Sequence, residues 1–141
     1  MKIRNTLAAF LLLSAHAAYA CMPGQNFDVH FSSDSATVSA SEILRLANWI
    51  VDQRIKYPTQ EVFQIDGRAE DREHNAHTLA KARLQAVVSI LEAQHFNQVP
   101  MDEHYGVYRS GDVENGKRVE ISILPVCPNS CCPHDDTPTK K

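Results

Sequence analysis

Apolar and polar positions alternate along this chain with two different periods, and the switches between them mark out its elements. Phe27 to Phe31 reads FDVHF, strict alternation bounded by turn residues, which predicts a strand. After the loop SSDSATVS, Ser39 and Glu42 stand three apart in the pattern of a capping box. Ile43, Leu46, Ala47, Ile50, Val51 and Ile55 then recur at helical spacing, with Trp49 near the edge of the stripe. This helix is expected to stop at Tyr57-Pro58, because proline disfavours helix in the residue before it. Glu61 to Asp66 (EVFQID) predicts a second strand, punctuated by Gly67. Ala76 to Leu91 carries a second helical stripe of Ala76, Leu79, Ala80, Val87, Ile90 and Leu91, with Arg83, Leu84 and Ala86 at its edges. Strand-like residues return around His104 to Tyr108, RSGDVENG is turn-rich, and RVEISI (Arg118 to Ile123) alternates as a last strand. The order βαβαββ predicts an α/β (α+β) two-layer sandwich with the helices on one face of a small mixed sheet. Trp49 and the phenylalanines are expected in its core.

The chain ends have a different character. Lys2 and Arg4, the apolar run Leu7 to Ala18 and the small-x-small site Ala18-Tyr19-Ala20 read as a secretory signal peptide over residues 1–20. Residues 21–125 form the expected domain. Residues 126–141, with CPNSCCPHDDTPTKK, form a largely irregular Cys/Pro-rich tail. Removing 20 residues from 141 leaves 121, enough for one domain with its own core. It also removes 2 of 14 basic side chains and none of 17 acidic ones, so the mature balance is 12 against 17, or −5. That surface argues against general nucleic-acid binding, which depends on neutralising phosphates. No further apolar run is long enough to span a bilayer, so no transmembrane segment is expected in the mature chain.

An exported chain meets an oxidising compartment, and the four cysteines, Cys21, Cys127, Cys131 and Cys132, suggest two disulfides. Cys131 and Cys132 are adjacent, and a bond between them would be strained, so separate partners are expected. Lipid attachment at Cys21 is the disfavoured alternative. Lipoprotein signals usually carry leucine and a small residue where Ala18 and Tyr19 stand, and acylation would leave an odd thiol. Cys127, Cys131, Cys132 and His134 could also be read as a soft-metal set, but export favours disulfides.

The stretch EDREHNAH places Glu70, Glu73, His74 and His77 at helical spacing. Zinc needs three or four ligands in closed geometry. A charged, solvated helix start accounts for the same residues, and no metal or other cofactor is assigned. Catalysis has little support: there is no G-x-S-x-G, and His30 and His104 read as solvent-facing strand residues. The chain is not expected to be an enzyme.

Four segments, in order, resemble the OmpA-like C-terminal domain of outer-membrane proteins and peptidoglycan-associated lipoproteins. HFSSDSATVSASEILRLANWI is similar to that family's opening strand, loop and first helix, and VFQIDGRAE to its second strand ending in Gly-x-x-Asp. LAKARLQAVVSIL resembles its Leu-Ser-x-x-Arg-Ala-x-x-Val helix, and KRVEISI its closing strand. The resemblance implies noncovalent binding of peptidoglycan through the diaminopimelate of the stem peptide, as a cell-wall anchor or envelope-integrity factor. It implies a place in the periplasm or on the periplasmic face of the outer membrane, with outer-membrane or periplasmic proteins as further candidate partners. Motif matching gives Arg83 the ligand arginine's place and Glu70 the aspartate's, with Asp71 as the alternative acid. The ligand end carries an ammonium and a carboxylate together, which suits one carboxylate side chain and one guanidinium fork. Glu70 stands where the family has aspartate, and the Glu70 to Leu79 loop is about two residues shorter than the family's. The other reading is an OmpA-like fold that has lost this ligand and serves as a periplasmic interaction module, with the cysteine tail as contact or metal site. The family's first and last strands are antiparallel neighbours, which makes Cys21–Cys127 the implied pairing and Cys131 the competing partner.

Overall fold

The computed structural model describes residues 24–126 apart from 97, 113 and 114. The expected order βαβαββ is present: β1 (Gln25–His30), α1 (Ala40–Lys56), β2 (Gln60–Glu70), α2 (Ala76–Ala93), β3 (Met101–Tyr108) and β4 (Arg118–Pro125). The sheet order is β1-β4-β2-β3. β4 is antiparallel to both β1 and β2, while β2 and β3 run parallel, joined through α2. The strand faces toward the helices supply Val29, Phe63, Ile65, Val119, Ile121 and Ile123 to one core. Leu46 and Ile50 of α1 and Leu84, Val87 and Leu91 of α2 close it from above. In β4 the alternation is complete, with Val119, Ile121 and Ile123 buried and the residues between them half-buried on the open face. Trp49 packs against this core and stacks at 5.1 Å on Phe27.

Two expectations need correction. The α1 stripe is narrower than its sequence pattern: Leu46, Ile50 and Gln53 are buried, whereas Ile43, Val51 and Ile55 are exposed. Only the i, i+4, i+7 row of α1 is fully buried, because α1 lies over the β1 side and, among the described residues, has no layer on its other face. β2, in turn, does not stop at Gly67 but runs on to Glu70, with Gly67 paired to Tyr105 and Val119. The glycine is there for proximity. A Cβ at position 67 would lie 2.6 Å from the Ala80 carbonyl oxygen and 2.7 Å from Leu84 Cβ, so its absence lets α2 settle onto β2.

The start of α1 keeps half of the expected capping box. Ser39 Oγ accepts from Glu42 N–H at 3.3 Å, while the Glu42 carboxylate turns to His30 N–H at 2.9 Å and to Arg45. It thereby ties the end of β1 to the start of α1. Burial pushes the Glu42 carboxyl up, but the His30 N–H and Arg45 outweigh it and hold the carboxyl below the usual glutamate range. Ser39→Ala should lower stability by about 1 kcal/mol in urea unfolding. A change below a few tenths would mean that the cap bond contributes nothing.

The four cysteines, the signal segment and the tail beyond Val126 lie outside the described residues. Gln25 opposite Ile123 puts the two ends of the described chain at one end of neighbouring strands. Among the described residues, no helix is long and apolar enough to cross a membrane.

Candidate functional site

EDREHNAH is not one helix. Glu70 closes β2, residues 71–75 form a tight turn, and α2 begins at Ala76 after Asn75 in the left-handed region at φ 50°. The turn is closed by Glu73 N–H to the Glu70 carbonyl at 3.0 Å. The helical spacings Glu70/His74 and Glu73/His77 therefore do not exist in space. Among the described residues no three His, Cys, Asp or Glu side chains are grouped to hold a metal.

The turn folds Glu73 back into the protein. Its side chain is 4% exposed and lies against Arg83 of α2, which is 0% exposed. Glu73 Oε1 accepts from Arg83 Nη2 at 2.6 Å, and Oε2 from Nη1 at 2.8 Å, a bidentate pair. The remaining Arg83 donors go to backbone carbonyls: Nε to Ser35 at 2.9 Å, Nη1 to Arg68 at 3.0 Å and Nη2 to Ser32 at 3.1 Å. All five guanidinium N–H groups thus have protein acceptors. The guanidinium also lies over the Phe31 ring at 5.2 Å. Glu73 is held as fully, taking Asp34 N–H at 3.0 Å on Oε1 and Glu70 N–H at 2.9 Å on Oε2. Asp34, itself at φ 55°, accepts from His74 N–H. One ion pair therefore joins the β1–α1 loop, the end of β2, the following turn and α2. Burial pushes the Glu73 carboxyl up. The hydrogen bonds from Arg83, Glu70 N–H and Asp34 N–H, with the Arg83 charge, outweigh burial and hold it below the usual glutamate range.

Glu70 does not meet Arg83. Strand alternation explains this: Ile65, Gly67 and Ala69 face the helices, so Asp66, Arg68 and Glu70 face the open side of the sheet. The Glu70 side chain lies against Gly116, its Oε2 3.8 Å from Lys117 Nζ. Asp71 is exposed and accepts from both the hydroxyl and the N–H of Ser110, at 2.6 and 3.0 Å. Those two bonds hold its carboxyl below the usual aspartate range. Of the expected ligand residues, then, Arg83 is buried on the helix side, Glu70 is half-buried on the open side, and Asp71 is on the rim. Glu73, the carboxylate that reaches the arginine, was in view as part of the charged stretch but not singled out. Its signal is a buried arginine's need for a carboxylate, which the sequence cannot assign to one acid among three.

Two concave surfaces lie elsewhere. One, of about 630 Å³, sits at the far end between Phe63, Phe96, Val99 and Arg54. The other, about 370 Å³, lies on the open face between Asp66, Arg68, Tyr108 and Glu120. Its charges are already paired, Arg68 with Asp66 at 2.6 Å and with Glu120 at 2.9 Å, and Tyr108 donates to Asp66. Burial and that Asp66 bond push the Tyr108 hydroxyl up.

This chain has the fold of OmpA-like domains. It is similar to the OmpA-like domain of FopA1 from Francisella tularensis subsp. tularensis SCHU S4, with TM-score 0.54 and 21% identity over 72% of this chain and 73% of that one. An outer-membrane protein from Borrelia burgdorferi B31 matches with TM-score 0.42 and 14% identity, over 74% of this chain and 88% of that one. No family model and no curated protein matches the chain.

Proposed function

We propose that this is a cell-envelope domain that binds peptidoglycan noncovalently, exported by its leader to the periplasm or the periplasmic face of the outer membrane. The observation that supports this reading is Arg83. At the loop end of an OmpA-like sheet, in the place the resemblance gives to the ligand arginine, a buried guanidinium grips a carboxylate with both arms. The diaminopimelate end of a stem peptide offers such a carboxylate beside an ammonium. Arg83 suits the first; of the two expected acids, Asp71 on the rim is the one placed for the second, while Glu70 faces the open side of the sheet.

Mature protein mixed with insoluble peptidoglycan sacculi should sediment with them. Glu70→Ala and Asp71→Ala, both outside the buried pair, test the acid. Loss of one ammonium contact should weaken retention by about tenfold. Wild type left in the supernatant would sink the reading.

The second reading, an OmpA-like fold used as an interaction module, draws on two observations. The Arg83 fork is filled by the chain's own Glu73, and α1 exposes Leu44, Val51 and Ile55 along its outer side. Soluble behaviour with sacculi, together with loss of a partner on Leu44→Glu or Val51→Glu, is its expected signature.

A further inference from the structure

We infer that Glu73 is an internal stand-in for a ligand carboxylate, occupying a receptor centred on Arg83 that an incoming carboxylate takes by displacing it. The identity of that ligand rests on the peptidoglycan reading; the receptor itself does not.

The receptor is built independently of Glu73. Three backbone carbonyls, of Ser32, Ser35 and Arg68, come from two different segments and fix the guanidinium in place, with Phe31 beneath it. Take Glu73 away and these contacts still hold the plane of the fork, with one N–H on each of Nη1 and Nη2 left facing the same vacated place. A fork held in this way is preorganised for one bidentate carboxylate. Two further donors, Asp34 N–H and Glu70 N–H, point at the same spot. The site thus offers four N–H groups to two oxygens, one pair to each oxygen.

Glu73 differs from the residues around it in how it is attached. It comes from a five-residue turn between exposed Arg72 and exposed His74, neither of which is packed in the core. The turn leads into α2 through Asn75, which is left-handed and makes no side-chain cap bond to the helix. Swinging the Glu73 carboxylate out to water moves no strand and no helix. Exchanging one carboxylate for another leaves Arg83 paired before and after, so the bound state carries no penalty of a bare buried charge. What the exchange must overcome is the competitor. The apparent affinity of wild type for any carboxylate is its intrinsic affinity reduced by the fraction of time Glu73 is out of the fork. Glu73 thereby sets how tightly, and for which acids, this loop cluster can close on a ligand.

Thermal unfolding of the mature protein in sodium acetate against sodium chloride at equal ionic strength tests the receptor. Acetate should raise the melting temperature of Glu73→Ala by several degrees and leave wild type unmoved, because it binds only the vacated native fork. An equal response of the two proteins overturns the inference. Free meso-diaminopimelate, titrated calorimetrically, should bind Glu73→Ala at least about tenfold more tightly than wild type. Glu73→Gln keeps the side chain's shape with a single acceptor and serves if the alanine variant does not fold; equal or weaker binding to the folded variant than to wild type overturns the inference. Acetate rescue without retention of any form on sacculi supports the receptor and defeats the peptidoglycan reading. Equal retention of wild type and variants on sacculi, with no acetate effect, supports that reading and defeats the inference.

Discussion

Arg83→Ala is expected to lower the stability of the domain by about 3–5 kcal/mol, the range for breaking a buried ion pair from one side. The side chain is fully buried, and its removal takes away five hydrogen-bond donors as well as a charge. Glu73 would be left as a carboxylate 4% exposed with no countercharge, and the Ser32, Ser35 and Arg68 carbonyls would lose the guanidinium's donation. Removing both charges at once, as in Arg83→Met with Glu73→Leu, should recover part of the loss, since no uncompensated ion remains. It should not recover all of it, because the Ser35 and Arg68 carbonyls and the Asp34 and Glu70 N–H groups still lack these partners, and Ser32 keeps only the Ser35 N–H. Urea unfolding of the two single variants and the double variant gives the coupling directly. A single-variant loss under 1 kcal/mol would mean that water replaces the guanidinium and that the pair is not a structural joint.

The same pair sets an acid limit. Glu73 titrates below its ordinary value of 4.5 in the folded protein, so its contribution is fully present above that pH. It is lost as pH falls through the lower folded value, because the unfolded chain takes up the proton first. Wild-type stability should therefore fall with acidification below about pH 4.5, and the slope in that window should flatten in Glu73→Gln. Asp34 lies beside the pair, giving its N–H to Glu73 and taking the His74 N–H on its carboxylate. An unchanged slope in Glu73→Gln would mean that Glu73 does not set the acid limit.

How much of this could be read from the chain depended on the range of the interaction. Period-two runs found the strands, and i, i+4 rows found both helices, because each pattern records a burial that the element itself imposes. The width of α1's apolar stripe misled, since periodicity shows which residues share a face and not whether anything covers it. Leu46 and Ile50 are covered, while Val51 and Ile55, only one and five positions beyond Ile50, are not. Gly67 looked like a strand end because glycine weakens strands, yet there it serves the approach of a helix 13 residues later at Ala80. At the site, Arg83 and its place on α2 were legible. The acid that pairs with it was not, because Glu70 and Glu73 differ by a strand parity and a turn closure that appear only once β2 is seen to end at Glu70. A one-residue slip in the register of β2 would have turned Glu70 to the helix side.

Gly67→Ala should be the second large loss, and its size should depend on α2. An added Cβ would stand 2.6 Å from the Ala80 carbonyl oxygen, 2.7 Å from Leu84 Cβ and 3.3 Å from Leu84 Cα. Two of those atoms are backbone and the third begins a side chain, so no rotamer change can relieve the contact. The helix must back away, at about 1–3 kcal/mol or more for overpacking. Gly106, on neighbouring β3, is the internal control: its added Cβ would meet nothing closer than Tyr108 Cε2 at 3.6 Å, ordinary contact. Gly106→Ala should therefore be within about 0.5 kcal/mol of wild type, since alanine also costs less backbone entropy in a strand. The consequence reaches the site, because Arg83 lies on α2 between Ala80 and Leu84 and donates to the carbonyl of Arg68, next to Gly67 in β2. A retreat of a few tenths of an ångström stretches that bond and unseats the fork. The loss from Gly67→Ala and that from Arg83→Ala should then sum to more than the double variant loses, by about 0.5–3 kcal/mol. Equal unfolding midpoints for Gly67→Ala and Gly106→Ala would show that α2 has slack over β2. Strict additivity with Arg83→Ala would show that the fork does not depend on how closely the helix sits.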